Sequence, residues 1–329
     1  MRVPGFEIIK GAQSAQFQET IVPWKFLLGE YCLHVAQIRA WQVNGSFLDP
    51  AASDFNTGKC LRDMLPSAQV LLLPASPAGG LRPGLRLSRY WIRYIPALAP
   101  RYHILVRGSF EDYLKTNFSA KTRHNLTRSI KQFSRFCGGQ VDFRAYRTPE
   151  QMEEFHALAC QVSRRTYQHR LLQVGLPETR QFVERLVDLA AQDRVRDYLL
   201  FYQGRPVAYA HCTCKEALLT YETIGYDPEF ARWSPGTVLL LLILEQVFGE
   251  GRCRVLDFGP GEAHYKSMFS TNQVISADVY FFRWSLRNLV TVCCHSGLDG
   301  FSSGVGRLLA KMGLKERMRK VLRKSGEKH

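Results

Sequence analysis

The stretch that decides the fold is YETIGYDPEFARWSPGTVLLLLIL, residues 221–244. Extended, its first residues place Glu222, Ile224 and Tyr226 on one face, because successive side chains of a strand alternate. After a short loop, Ser234-Pro235-Gly236-Thr237 opens a helix that is apolar nearly all round. Serine is a favoured N-cap, and proline is pre-shaped for the first helical turn. Gly236 lacks the side chain that would screen the exposed N–H groups, and those groups with the helix dipole favour an anion, phosphate above all. On its own such a helix start is a weak signal, since most bind nothing.

Working outward, the apolar patterning predicts strands over Asp197–Tyr202, Pro206–Cys214 and Ala217–Tyr226, the first two joined by the turn Gln203-Gly204-Arg205. Downstream it predicts a strand at Val255–Phe258, a short helix at Ala263–Phe269 and a strand at Ser276–Phe282. Upstream lie helices over Ser109–Asn117 and Ser119–Arg135, a strand at Val141–Tyr146, and helices near Glu150–Tyr167 and Pro177–Asp193. Helices, antiparallel strands and then a strand–helix–strand unit imply an α/β (α+β) fold with a mixed central sheet flanked by helices. The first hundred residues read as strands at Cys32–Val43, Gln69–Leu73, Leu85–Ile95 and Tyr102–Val106, with a Pro- and Gly-rich break around Pro74–Pro83. The expected organisation is a β-rich half-domain over 1–108, the α/β domain over 109–295 and a basic helical tail over 296–329.

With 46% apolar and 22% charged residues in 329, the chain can bury a core, which excludes a wholly disordered protein. The longest apolar run, Val238–Leu244, is far short of a membrane span, and the first residues do not read as a secretory signal. The nine cysteines form no CxxC, so they read as free thiols of a cytoplasmic protein, with no metal site expected. The formal charge of +15 is concentrated. Net +5 falls between Arg107 and Arg135, and net +7 between Arg307 and Lys328. Lys121, Arg128, Lys131 and Arg135 gather on one helix face, which is either a solvated surface or an anion-binding one. The tail reads as two amphipathic helices broken at Gly313. It is suited to an anionic membrane surface or a membrane-bound synthase, or equally to packing on the domain.

The order of a strand feeding this loop, a buried helix and another strand resembles the Gcn5-related N-acetyltransferases (GNAT), whose pyrophosphate loop has the form Arg/Gln-x-x-Gly-x-Gly/Ala. Arg232-Trp233-Ser234-Pro235-Gly236-Thr237 occupies that place, with Pro235 at the first glycine position. Together with LDFGPGEAHYK at 256–266 and FEDYLKTNFSAKTRHNLTRSIKQF at 110–133, the segment resembles the BioF2-like, CelD-like branch of that superfamily, itself related to the Fem peptidyltransferases. The resemblance spans about Phe110 to Phe282. It implies an acyl-CoA N-acyltransferase fold, acetyl-CoA as cofactor, and acetyl transfer to a small-molecule amine or a glycan hydroxyl in envelope or exopolysaccharide synthesis. The first hundred residues would then be a reduced second copy of the fold. Fem-like transfer from aminoacyl-tRNA and a non-catalytic partner of a membrane polysaccharide synthase are the alternatives; nucleic acid is otherwise not expected. Val255–Gly261 also resembles the first motif of methyltransferases, but the 68 residues after Gly261 cannot build the rest of a Rossmann sheet.

By the resemblance, Ile224, Gly225 and Tyr226 line the pantetheine arm, while Arg232, Ser234, Pro235, Gly236 and Thr237 hold the pyrophosphate. Tyr265 is placed to protonate the leaving thiolate, with a packed tyrosine as the bland alternative. Lys266, which ends the branch's Tyr-Lys pair, would be a cation near the reacting carbonyl or an ordinary surface lysine. For the base, Asp257 at a strand end is preferred to Glu222; its alternative role is capping the Gly259–Gly261 turn. A charge inside an apolar strand, as at Glu222, is costly unless paired or functional. Glu262, in a loop, is a third candidate. Arg164, Arg165, Tyr167 and His169 cluster where such folds border the acceptor, or they form a solvated helix end. His211, in a strand, reads as a satisfied core histidine rather than a base.

Overall fold

In the computed structural model, residues 17–28, 31–43, 69–166 and 175–311 are described. The elements, in chain order, are β1 (Phe17–Leu28), β2 (Tyr31–Val43), β3 (Val70–Pro77), β4 (Gly84–Leu87), β5 (Trp91–Ile95), β6 (Ala99–Leu105), α1 (Phe110–Asn117), α2 (Ala120–Phe136), β7 (Asp142–Tyr146), α3 (Met152–Ser163), α4 (Arg180–Ala191), β8 (Val195–Tyr202), β9 (Arg205–Lys215), β10 (Leu218–Tyr226), α5 (Pro235–Glu250), β11 (Val255–Pro260), α6 (His264–Phe269), β12 (Asn272–Arg283) and α7 (Leu286–Lys311). Single 3-10 turns at Pro149–Gln151 and Pro228–Trp233 precede α3 and α5.

The chain divides into two compact units. The larger contains Ala99–Val274, and the other contains Leu33–Leu98 with Ile275–Gly304. In the larger unit the strands run β6-β11-β10-β9-β8-β7, mixed in direction, with β10 and β11 as the parallel pair. A parallel pair needs a crossover, and α5 supplies it. Its apolar residues all round make sense on burial: Val238, Leu239, Leu240, Leu241, Ile243 and Leu244 are all inside, each worth about 1.5–3 kcal/mol. They pack with α1 and α2 over one face of the sheet. The helices start where the side chains can cap them. Ser109 and Asp112 close a reciprocal capping box on α1, and Ser119 accepts from the Thr122 amide at the start of α2. The opposite face carries α3 and α4, packed through Phe155, Ala159, Leu186 and Tyr209.

In the smaller unit, β3 and β5 pair antiparallel with β12, and β4 pairs with β5. Its two sheet faces have separate cores, one around Trp24, Tyr94 and Phe282, the other around Leu71, Ile95 and Phe281. The expected single strand Leu85–Ile95 is a hairpin turning at Ser88–Tyr90, where the Ser88 hydroxyl both donates to the Trp91 carbonyl (2.9 Å) and accepts its amide (3.1 Å). The strand expected at Tyr102–Val106 is β6. It pairs with β11 and therefore belongs with the larger unit, because Asp257↔His103 and Val255↔Leu105 are ladder partners. Gly313 and the tail beyond Lys311 lie outside the described residues. Among the described residues no helix is long and apolar enough to cross a membrane, and no cluster of His, Cys, Asp or Glu is placed to hold a metal.

Candidate active site

The site begins where two strands part. β10 and β11 are in register from Leu218↔Val255 to Thr220↔Asp257, and their pairing ends there although both strands continue. From Tyr221 to Tyr226 on one side and Phe258 to Pro260 on the other, the facing backbone edges are not bonded to each other, leaving a wedge with its apex at Thr220 and Asp257. A β-bulge between Tyr221 and Thr223 breaks the β9–β10 ladder at the same level. Bulges leave one residue unpaired and re-aim its side chain, and here that residue is Glu222.

Glu222 is held by two neighbours on β9. The Thr213 hydroxyl donates to its Oε1, and His211 Nε2 faces its Oε2 at 3.8 Å. His211 is buried, and its Nδ1 lies 2.7 Å from Oδ1 of the fully buried Asp197 on β8, which also accepts the Cys212 amide. Burial opposes charge on the imidazole, but the adjacent Asp197 carboxylate outweighs it and raises the pKa of His211 above its ordinary value. Burial likewise pushes Asp197 upward, against His211. His211 is thus satisfied as a core histidine, and its second nitrogen extends the line from Asp197 to Glu222 at the bulge.

Asp257 is engaged differently. Arg101 on β6 grips it, Nε donating to both carboxylate oxygens at 3.0 Å and Nη2 to Oδ2 at 2.5 Å. Oδ1 also accepts the Gly259 amide at 2.9 Å, which is the turn-capping role weighed for it. With the side chain fully buried, its oxygens serve the bend at the apex. Lys266 Nζ donates to the Pro260 carbonyl at 2.8 Å and reaches that of Gly259 at 3.5 Å. Burial lowers its pKa, with the Asp257 charge opposing. The Tyr265 ring stands edge-on to Phe258 at 5.8 Å, and burial pushes its hydroxyl up to about 12, so it stays a proton donor at neutral pH.

At the far end of β10, α5 starts through Ser234, a left-handed residue (φ 52°) whose side chain makes no cap hydrogen bond. Pro235 has no N–H, so the first-turn donors are Gly236 and Thr237, both half-buried, with Ser234 exposed beside them. The Tyr226 ring lies 3.3 Å from where a Cβ on Gly236 would sit. A Cβ on Gly225 would come within 2.7 Å of both Tyr209 and Thr166, so that glycine is dictated by close packing as well as by any ligand. Ile224 packs partly buried against the main core, and the Arg232 guanidinium lies 4.9 Å over the Trp233 ring.

The remaining candidates are dispersed. Arg164 forms a bidentate pair with Glu178 (2.8 and 2.6 Å), while its neighbour Arg165 reaches Asp227, next to Tyr226, at 3.1 Å. Tyr167 and His169 lie outside the described residues. Glu262 borders a shallow recess of about 370 Å³ with Tyr102, Ala263, His264 and Ser267. Sequence reasoning missed Arg101, Asp197 and Thr213. The sign available for Asp197 was an acid opening the apolar run 197–202, costly to bury without a partner.

A mixed sheet with one splayed parallel pair, a bulged strand beside it and a helix N-terminus at its open end is the arrangement of a GNAT-like fold. Residues 120–267 match the family described as acetyltransferase (GNAT) domain. No curated protein matches the sequence. Among solved structures, FemX shares 11% identity with a TM-score of 0.52, over 85% of this chain and 86% of its own. The C-terminal domain of a putative lysylphosphatidylglycerol synthetase from Agrobacterium fabrum shares 12% at 0.49, over 80% and 83% of the two chains. A putative GNAT-family acetyltransferase from Novosphingobium aromaticivorans shares 12% at 0.37, over 75% and 88%. The FemX likeness is one of fold.

Proposed function

We propose that the chain transfers an acetyl group from acetyl-CoA to an amine, or to a hydroxyl of a small-molecule or glycan acceptor. The observation that carries this reading is the wedge between β10 and β11, open from the Thr220–Asp257 apex toward the uncapped start of α5. The residues present fit such a cofactor. Gly236 and Thr237 offer amides at a helix N-terminus to a diphosphate, and the unpaired edge of β10 offers main-chain groups to a pantetheine amide. When bound, acetyl-CoA supplies the activated thioester.

Glu222, rather than Asp257, is the group suited to accept the acceptor's proton. It is partly exposed at the bulge and oriented by Thr213 and His211, whereas Asp257 is committed to Arg101 and Gly259. Tyr265, protonated at neutral pH, is the donor for the leaving thiolate. Lys266 and Asp257 hold the Gly259–Pro260 bend that shapes the apex. The decisive experiment pairs acetyl-CoA binding by calorimetry with thiol release in the presence of an amine panel. Glu222→Gln should bind acetyl-CoA as the parent does while turnover falls about 10²–10⁴-fold, the usual worth of a general base. A variant with undiminished turnover removes Glu222 from the chemistry, and a parent protein that does not bind acetyl-CoA removes the reading altogether.

One observation favours a second reading, transfer from aminoacyl-tRNA: α2 has no acidic residue and exposes Lys121, Arg128, Lys131 and Arg135. Salt-sensitive tRNA binding without acetyl-CoA binding would select it.

A further inference from the structure

The smaller unit carries a feature that acetyl transfer does not use. At the end of this unit where β5 begins and β12 ends, the β4–β5 turn meets the start of α7, with the Trp284 amide donating to the Tyr90 carbonyl at 2.9 Å. Four large apolar side chains are exposed there: Leu286 by 71%, Tyr90 by 62%, Leu87 by 56% and Trp284 by 43%. Soluble surfaces scatter such residues singly, so their concentration marks an interaction site.

The charge around them is of one sign. Arg86, Arg89, Arg283 and Arg287 are all exposed, and none pairs with a carboxylate among the described residues. No Asp or Glu occurs between Arg82 and Val106 or between Val279 and Leu298. Arg86 sits directly across the β4–β5 ladder from Arg93, a like-charge pairing that sheets avoid. Burial chiefly, and then the charge of Arg86, lowers the pKa of Arg93, whose Nε is buried without a hydrogen-bond partner. The Arg89 guanidinium lies 5.4 Å over the Tyr90 ring. Such a surface suits an anion-rich partner that also accepts apolar side chains.

We propose that this end of the smaller unit docks on a lipid bilayer bearing anionic headgroups. Trp284, Leu286, Tyr90 and Leu87 enter the interface, and the surrounding arginines meet the headgroup phosphates. Aromatic rings and arginines with apolar stems are the side chains that settle at that depth. A second copy of the chain is the poorer occupant, because a two-fold interface would press the same arginines against each other. This contact is separate from the basic tail and does not depend on the transferase reading.

The test uses the full chain, so that the tail is common to every variant. Co-sedimentation with phosphatidylglycerol–phosphatidylcholine vesicles is compared with phosphatidylcholine alone, for the parent and for Tyr90→Ser/Trp284→Ser/Leu286→Ser. The expected result is binding to the anionic vesicles, reduced at least about tenfold in the triple variant with unchanged circular dichroism. Emission present in the parent but lost in Trp284→Phe should be quenched by brominated acyl chains. If the triple variant misfolds, Leu286→Ser alone, at the most exposed position, carries the comparison. Equal binding by a folded variant, an unquenched Trp284, or a dimer in solution that the same substitutions dissolve would each overturn the proposal.

Discussion

At the scale of single residues, the candidate site distinguishes three carboxylates that look alike in sequence. Asp257 is buried against Arg101, Asp197 against His211, and Glu222 alone of the three is exposed, at the β10 bulge. Removing one partner of a buried ion pair strands the other, typically at about 3–5 kcal/mol. Arg101→Ala should therefore lower the urea midpoint by an amount corresponding to about that loss, while Arg164→Ala, whose bridge to Glu178 is exposed, should cost no more than about 1 kcal/mol. The Asp197–His211 pair sets a pH dependence. His211 has a raised pKa in the folded chain, so its contribution is fully present below about pH 6.5 and is lost as pH rises through the raised value. Stability measured by urea unfolding should fall between pH 6 and pH 9, and Asp197→Asn should flatten that fall while lowering the whole curve.

At the scale of elements, the strand–loop–helix order of 221–244 was legible because each boundary has a local chemical cause: a proline in the first turn, an apolar run too long for a strand, and Gly251 in the left-handed C-cap. The lateral contacts were not legible, and two bulges explain why. Counting outward from the Gln203–Gly204 turn places Asp197 opposite Ala210. The slip between Leu200 and Phe201 puts His211 there instead, so the pair cannot be found by counting. The bulge at Tyr221/Thr223 likewise sets the direction of Glu222 by register rather than by composition. Arg101 was hidden for a third reason: it meets Asp257 across 156 positions of sequence, a distance no local pattern spans. The start of α5 offers its own test. An acidic residue in a first helical turn stabilises the helix by about 0.3–1 kcal/mol, yet it would repel a diphosphate held by the same amides. Thr237→Asp should keep or raise the melting temperature and weaken acetyl-CoA binding at least about tenfold. Unchanged binding would place the diphosphate elsewhere.

At the scale of the whole molecule, charge is the governing quantity. A chain of net charge +15 repels itself increasingly as its carboxylates are protonated, so acid should unfold it by two additive routes. Asp227 makes the second route specific. Burial works against its charge, but the Glu229 amide and the Arg205 and Arg165 guanidinia prevail and hold its pKa below the ordinary carboxylate value. Its contribution is present above about pH 4 and is lost as pH falls through the depressed value. Urea midpoints taken between pH 5 and pH 2.5 should fall steeply in the parent and less steeply in Asp227→Asn. An identical slope in both would assign acid unfolding to general repulsion. The β10 bulge, finally, limits how this chain can change over time. Deleting Glu222 would close the bulge and leave the pairs from Thr223↔His211 to Tyr226↔Ala208 in place, so the proposed proton acceptor alone would be lost. Deleting a residue beyond the bulge would instead shift the rest of the strand by one place and turn its side chains to the other face, carrying away the glycine against Tyr209 and the ring beside Gly236 together.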